Sequence, residues 1–113
     1  MLHYLLCDLQ DDPDLIARYE EHHAAGKVWP EVTAALREAG ITNMEIFRAG
    51  NRLMMVMETT DSYHPDRHAA INAATPRVEE WEQLMDRYQE RLPFARAGVK
   101  WVPMHRIFTL QDQ

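Results

Sequence analysis

Hydrophobic and polar positions change their spacing along the chain, and each change predicts a new element of secondary structure. The run LHYLLCDL, residues 2–9, is short, apolar and closed by acidic residues, which is typical of a strand. A helix is predicted to begin at Asp12-Pro13, because Asp is a favoured cap and Pro suits the first helical position. This helix is predicted to extend to about Ala25 and to end at Gly26.

The central part of the chain predicts a second helix and a hairpin. The helical segment starts at Trp29-Pro30-Glu31 and closes at Gly40. The stretches ITNMEIFRAG and NRLMMVMETT then predict two strands, with Gly50-Asn51 between them as a tight turn. Two consecutive strands therefore follow the first strand and its helical region.

The last part of the chain completes the pattern. Residues 65–90 are predicted to be helical with a break before Pro76, because the residue that precedes a proline disfavours the helix. Residues 100–111, KWVPMHRIFTLQ, predict a final strand. The order β-α-β-β-α-β is that of the ferredoxin-like α+β fold, in which helices cover one face of a four-stranded antiparallel sheet. One domain of this kind accounts for residues 1–113.

The second strand of the central hairpin is apolar on both faces, which predicts a partner. Alternation puts one set of apolar side chains on each face, and an antiparallel sheet face open to water is normally polar. The two sets are Leu53, Met55 and Met57, and Met54 and Val56. Because no element of the chain remains to cover the second face, we expect a homodimer with its two sheets face to face, a dimeric α/β-barrel. The alternative is a hydrophobic floor for the chain's own loops.

The first predicted helix carries a tyrosine and a histidine on its apolar stripe. Tyr19 and His23 are four residues apart and continue the stripe that begins with Leu15 and Ile16, so they are predicted to point toward the sheet and to contact each other. His22 lies nearer the edge of the stripe. Histidine both gives and takes a proton near neutral pH, which makes His23 a candidate acid–base group. The alternative is a partly buried histidine hydrogen-bonded to a tyrosine.

Composition and charge exclude several classes of function. The 113 residues are 46% hydrophobic and carry a formal net charge of −6 without a basic block, which argues against nucleic acid as a partner. No apolar run approaches the length of a membrane span, and the N-terminus lacks the features of a signal peptide. The single Cys7 has no cysteine to pair with, which fits a reducing cytoplasm, and its apolar surroundings predict a buried structural thiol.

Other groups of functional residues are less specific. The pair His64 and His68 has helical metal spacing, but Pro65 indicates that His64 precedes the helix. A metal site built from His3, His22, His23 and His105 is the alternative, but no spacing argues for it, so no metal is predicted. The chain has no phosphate-binding Gly-rich loop, and no cofactor is predicted. Glu45 and Glu58 lie on neighbouring predicted strands and are either paired carboxylates, solvated residues or ion-pair partners of Arg48 and Arg52.

Several motifs together resemble the L-rhamnose mutarotase family, which includes L-fucose mutarotases. They are YEEHH followed by VWPEV, NMEIFRAGNRLMMVMET, EEWEQLM and the closing W-V-P-M-x-R-I-F, and they cover essentially the whole chain in the family's order. The resemblance implies a dimeric α/β-barrel of ferredoxin-like subunits. It also implies interconversion of the α and β anomers of a 6-deoxy sugar without a cofactor.

The resemblance carries particular residues with it. His23, four residues after the motif tyrosine, matches the family's general acid, and Tyr19 and Trp81 match residues that contact the sugar. Trp29 offers a second aromatic face suited to stacking on a sugar ring. The rhamnose enzymes have a second tryptophan where this chain has Glu82, and a strand tyrosine where it has Met44.

These departures bear on the choice of sugar. A carboxylate at Glu82 can accept hydrogen bonds from neighbouring hydroxyls, which favours L-fucose over L-rhamnose as the substrate. The stretch AAGK before Trp29 also resembles the L-fucose branch of the family. The alternative is that Glu82 faces water and contacts no substrate. Two other functions are kept as alternatives: a monooxygenase-like or haem-handling enzyme on the same fold that uses His23 or His105, and a non-catalytic barrel that binds a small ligand or a partner protein.

Overall fold

The computed structural model describes all 113 residues as an antiparallel sheet with four α-helices. An α+β fold was predicted from the sequence, and it is confirmed. The elements in chain order are β1 (Leu2–Leu9), α1 (Pro13–His22), α2 (Pro30–Glu38), β2 (Ile41–Ala49), β3 (Arg52–Thr59), α3 (Pro65–Ala73), α4 (Pro76–Asp86), β4 (Gln89–Glu90), β5 (Val102–Pro103) and a terminal 3₁₀ turn (Leu110–Asp112).

The three long strands form the centre of the sheet. Strand β3 lies between β2 and β1 and is antiparallel to both, and the short strands β4 and β5 pair with the other edge of β1. In this register Leu53 on β3 lies opposite both Cys7 on β1 and Arg48 on β2, so these three residues share one face of the sheet.

Proline begins every α-helix of the fold. Each helix has its proline in the first turn, where the missing N–H would have no helical partner. At the start of α1, an Asp12 carboxylate oxygen also accepts hydrogen bonds from the backbone N–H groups of Asp14 and Leu15, at 2.9 and 3.1 Å. The predicted helix start and the predicted break before Pro76 are therefore both confirmed.

Helix α1 is shorter than predicted. It ends at His22 rather than near Ala25, and His23 is its C-terminal cap, with φ −100° and ψ 1°. The segment from Ala24 to Lys27 is exposed and turns through Gly26 at a φ of 77°. Because Ala24, Ala25 and Lys27 are all exposed, no buried contact extends the helix beyond His22.

The C-terminal half also departs from the prediction. Helix α4 ends at Asp86, and Gln89–Glu90 pairs with β1, although the sequence predicted helix as far as residue 90. Only Val102–Pro103 of the predicted strand 100–111 is a strand, followed by one further hydrogen bond from the Met104 N–H to the Tyr4 carbonyl. A proline has no N–H to donate, so Pro103 weakens the ladder at this edge.

The hydrophobic core lies on one face of the sheet only. Leu9 and Leu53 pack there against side chains from α1, α2 and α4. On the opposite face Tyr4, Phe47 and Met104 are 44%, 50% and 46% exposed, so large apolar side chains face outward. No helix has the length and apolar character needed to span a lipid bilayer.

Replacement of Leu9 by alanine tests the position of the core. Leu9 is completely buried. We expect Leu9→Ala to lower the free energy of unfolding by about 2–5 kcal/mol, because the lost side chain leaves a cavity. The matched change Leu110→Ala removes a side chain that is 75% exposed, and its effect should stay within about 0.5 kcal/mol. Urea titrations at one protein concentration measure both, and equal effects would contradict this core assignment.

Candidate active site

A cavity of about 400 Å³ lies between α1 and the β2–β3 hairpin. It combines an apolar floor with a few polar groups, which is the usual composition of a small-molecule site. Its lining residues are Tyr19, Glu20, His23, Ile46, Phe47, Arg48 and Leu53.

Helical and strand periodicity explain why these residues meet. Glu20 on α1 and His23, the residue that caps α1, are three residues apart and lie on the same side of the helix. On β2, Ile46 and Arg48 alternate with Phe47 and point to the face that carries Leu53. The cavity is therefore bounded by the last turn of α1, by residues 46–48 of β2 and by Leu53 of β3.

One ring nitrogen of His23 is bound to the backbone of its own helix. Its Nδ1 lies 2.7 Å from the carbonyl oxygen of Tyr19. A carbonyl only accepts hydrogen bonds, so Nδ1 carries the proton and donates it. Nε2 is then the acceptor in the neutral ring. Because His23 lines the cavity, this geometry provides a basic nitrogen there.

Burial keeps the imidazole of His23 neutral. Desolvation lowers the pKa of His23 below its usual value of 6.5; the hydrogen bond to the Tyr19 carbonyl raises it, and the nearby His22 lowers it further. The net direction is downward. At neutral pH the Nε2 lone pair of His23 is therefore available to take a proton.

Tyr19 is buried beside the histidine, and the predicted contact between them is present. The two rings lie 4.3 Å apart between centroids. The Tyr19 hydroxyl accepts a hydrogen bond from Nε2 of Gln89 at 3.3 Å, and burial raises the pKa of Tyr19. Tyr19 is therefore a neutral phenol whose ring supports the imidazole.

An aromatic group packs behind His23 on the core side. The Trp81 ring lies 5.5 Å from the His23 ring and 5.2 Å from the Trp29 ring. His22 contributes to this group, with a hydrogen bond of 3.2 Å between its Nε2 and the Tyr88 hydroxyl. His22 thus belongs to the packing between α1 and α4, and it was predicted only to lie near the edge of the apolar stripe.

The tryptophans are near the cavity without lining it. Trp81 is buried, at 5% exposure. Trp29 is partly buried, and the Arg77 guanidinium lies 3.8 Å from the centroid of its ring. Both support the wall that carries His23.

The structure does not bring Met44 or Glu82 into the cavity lining. Met44 is partly buried and lies opposite Met57 on the helix-covered face of the sheet. The Glu82 carboxylate accepts a hydrogen bond from the Lys100 ammonium at 2.7 Å, and Lys100 also pairs with Asp86 at 2.7 Å. The carboxylate that the sequence offered as a sugar contact is engaged in this ion-pair group.

The other predicted groups are dispersed in the fold. No three side chains of His, Cys, Asp or Glu come together as a metal-binding group. Arg48 and Arg52 form ion pairs with Glu20 and Asp8, not with Glu45 or Glu58. A smaller cavity of about 210 Å³ is lined by Asp86, Gln89 and Arg91 and has no hydrophobic residue in its wall.

Two charged residues of the cavity were missed by the sequence reasoning. Glu20 follows Tyr19 on α1, and its carboxylate is hydrogen-bonded to Nε of Arg48 across the cavity. In the sequence, only spacing indicated that these two residues face the cavity. Glu20 precedes His23 by three residues, and Arg48 follows the inward-facing Ile46 by two. Neither spacing identifies a partner before the tertiary structure is known.

Comparison with known proteins gives consistent matches. The family model described as L-rhamnose mutarotase matches residues 3–110. An L-fucose mutarotase from Xanthomonas campestris pv. campestris is 49% identical over 105 residues, which are 93% of this chain and 84% of that protein. An L-rhamnose mutarotase from Acidiphilium cryptum is 46% identical over 39 residues, which are 34% of this chain and 36% of that protein. These matches confirm the resemblance seen in the motifs.

Solved structures share the fold. The crystal structure of an L-rhamnose mutarotase from Formosa agariphila superposes with a TM-score of 0.67 at 18% identity, covering 97% of this chain and 98% of that one. Tetracenomycin F2 cyclase from Streptomyces glaucescens, a type-II polyketide cyclase, superposes with a TM-score of 0.59 at 15% identity, covering 96% and 97%. At these identities the likeness establishes the fold alone.

The tautomer and the pKa of His23 are directly measurable. We expect nitrogen chemical shifts in an NMR titration to show a neutral ring protonated at Nδ1, with a pKa below 6.5. A histidine whose folded pKa is depressed stabilises the fold fully above its unfolded pKa. Its contribution is lost as the pH falls through the folded value. The His23→Gln variant identifies the signal, and a proton on Nε2 at neutral pH would contradict the geometry.

Proposed function

The chain belongs to the L-rhamnose mutarotase family, and we propose that it is an isomerase that interconverts the α and β anomers of a 6-deoxy-L-sugar. The observation that carries the proposal within this family is the arrangement of His23, with Nδ1 held by the backbone and the ring lining a cavity. The cavity is large enough for one monosaccharide and has an apolar floor for the C–H face of the ring.

The reaction requires one proton to leave an oxygen and one to arrive at another. Opening a pyranose removes the proton from the anomeric hydroxyl O1, forms the C1=O1 double bond, breaks the bond from C1 to the ring oxygen O5 and protonates O5. Rotation about C1–C2 and closure on the other face of the carbonyl give the second anomer. No electrons enter or leave the sugar.

His23 suits both proton transfers. Its neutral Nε2 accepts the proton of O1 and, as the imidazolium, donates it to O5. Both oxygens are bonded to C1, so a single nitrogen can serve them in turn. In ring closure the same nitrogen takes the proton from O5 and returns it to O1. Tyr19 holds the imidazole through its ring and its carbonyl oxygen.

L-Fucose is the favoured substrate in this proposal. The support is the 49% identity to an L-fucose mutarotase over most of the chain. The sugar contacts assigned to Trp29, Met44, Trp81 and Glu82 stay predictions, and the tryptophans support the histidine wall rather than line the cavity. A monooxygenase-like enzyme or a non-catalytic binder on this fold has no observation in its favour beyond the fold itself.

A homodimer of ferredoxin-like subunits is part of the proposal. Support comes from the open face of the sheet, where Tyr4, Phe47 and Met104 are about half exposed beside the partly buried Met54 and Val56. Packing two such faces removes apolar surface from water at about 25 cal/mol per Å². A second copy of the chain presents a complementary surface of the same kind.

Loss of the imidazole should remove the catalysis. We expect His23→Gln to slow anomer exchange by about 10²- to 10⁴-fold, toward the uncatalysed rate, because no side chain then accepts the anomeric proton. His22→Gln should retain most of the activity, since His22 packs against α4. Saturation-transfer NMR on L-fucose measures the exchange, with circular dichroism as the folding control. A larger effect at His22 would exclude this assignment.

The open sheet face predicts the oligomeric state. Light scattering after size exclusion should give about twice the chain mass of 13.2 kDa. Val56→Glu should shift the protein toward monomer, because it buries a charge in the interface. Glu21→Gln, on the exposed side of α1, should leave the dimer unchanged. A wild-type protein that is monomeric at micromolar concentration would contradict the proposed interface.

A further inference from the structure

An arginine–glutamate pair forms the charged wall of the cavity. The Arg48 Nε donates to the Glu20 carboxylate, and its Nη1 donates to the Gly50 carbonyl oxygen at 2.8 Å. Anchors on α1 and on the hairpin turn therefore hold one guanidinium at the edge of the cavity. The two side chains are 38% and 53% exposed, so solvent and a bound molecule can both reach them.

No other ion pair of the fold has this location. Arg52 pairs with Asp8 in the sheet, Arg77 pairs with Glu80 on α4, and Lys100 pairs with Glu82. None of these residues lines the cavity that contains His23. Surface ion pairs contribute little to stability, so stability alone gives no reason for this one to occur in the wall of a site.

The pair has hydrogen-bonding capacity left over. A guanidinium has five N–H groups in a planar fork, and two of them are taken by Glu20 and Gly50. The second carboxylate oxygen of Glu20 has no partner in the structure. Donors and an acceptor side by side match two neighbouring hydroxyl groups, since each hydroxyl both donates and accepts.

The charged pair lies about one helical turn from the histidine. Residues three apart on a helix have Cβ atoms about 5–6 Å apart, and Glu20 precedes His23, the cap of α1, by three residues. In a pyranose, C4 lies across the ring from C1. A sugar that presents C1 and O5 to His23 therefore extends its C3–C4 edge toward the pair.

We propose that Arg48, held by Glu20, binds the O3 and O4 hydroxyls of the sugar and determines which sugar is accepted. This inference rests on the proposed mutarotase function and adds the specificity element to it. L-Fucose has an axial O4 beside an equatorial O3. L-Rhamnose has both groups equatorial and an axial O2 instead. A guanidinium fixed at two points favours one direction of O4 over the other.

The test combines a side-chain deletion with a hydroxyl deletion. Anomer-exchange efficiency is measured by saturation-transfer NMR for L-fucose, L-rhamnose and the 4-deoxy derivative of L-fucose, with wild type and Arg48→Met. Wild type should lose about 10- to 100-fold on the 4-deoxy sugar, because a charged hydrogen-bond partner is left unpaired. Arg48→Met should lose a similar factor on L-fucose and much less on the 4-deoxy sugar, so that the two losses are not additive.

Control variants separate binding from structure. Glu20→Gln should lose part of the L-fucose rate and lower the ratio of L-fucose to L-rhamnose rates, because the guanidinium loses its ionic anchor. Arg18→Met and Glu21→Gln make the same changes at exposed positions of α1 and should leave that ratio unchanged. Glu82→Gln tests the competing assignment: a shift of the ratio at Glu82 without one at Arg48 would assign specificity to Glu82 and overturn the inference.

Each remaining outcome of this experiment either supports or refutes the role of Arg48. Equal losses on L-fucose and its 4-deoxy derivative in Arg48→Met would show that Arg48 does not contact O4. If Arg48→Met does not fold, two other measurements test the inference. The wild type should exchange the 4-deoxy derivative more slowly than L-fucose, and Arg48→Lys should show an intermediate loss of rate on L-fucose. A wild type that exchanges L-fucose and its 4-deoxy derivative equally well refutes the inference and leaves the proposed function intact. A wild type that accelerates no aldose refutes both.

Discussion

Tyr19 is the one fully buried side chain of α1, and together with the partly buried Leu15 and Ile16 it packs the helix against the core. The same residue fixes His23 twice, through its ring and through its carbonyl oxygen. The hydrogen bond to this carbonyl fixes the tautomer of the imidazole, and Trp81 of α4 packs against the ring from the core side. The end of α1 forms one wall of the cavity, and the β2–β3 hairpin forms the opposite wall. The cavity therefore depends on the position of this helix end.

The electrostatics of the cavity combine a neutral base with a compensated ion pair. Burial disfavours the imidazolium form of His23 and so preserves a proton acceptor at neutral pH. Arg48 and Glu20 bring charged hydrogen-bonding groups to the same space without net charge. An unpaired arginine at this position would lower the pKa of His23 further. Because Arg48 is paired with Glu20, desolvation stays the main cause of the lowered His23 pKa.

The fold supports different chemistries, so the side chains decide among them. An L-rhamnose mutarotase and a polyketide cyclase both superpose over almost the whole chain, with TM-scores of 0.67 and 0.59. What they share with this chain is the fold, and a fold alone does not determine the chemistry. Within this chain the distinguishing features are a backbone-held histidine, a phenol that is not ionised and a guanidinium at the cavity edge.

The sequence by itself determined the elements and the phase of their faces. Proline at every helix start, aspartate at the start of α1, the glycine turn at Gly50 and the alternation in β3 all act through neighbouring residues. All of them are present in the structure. The contact of Tyr19 with His23 was predictable for the same reason, since helical periodicity alone determines it. Motif order also indicated the family, because it extends over the whole chain.

Only the tertiary structure decided the contacts between distant segments. The pairing of Glu20 with Arg48 joins residues 28 positions apart, and the ion pair that engages Glu82 joins residues 18 positions apart. The end of α1 at His22 and the short β5 likewise depend on whether neighbouring elements provide a surface to bury against. Charge and periodicity show which way a side chain points, but its partner is determined by the packing of the other elements around it.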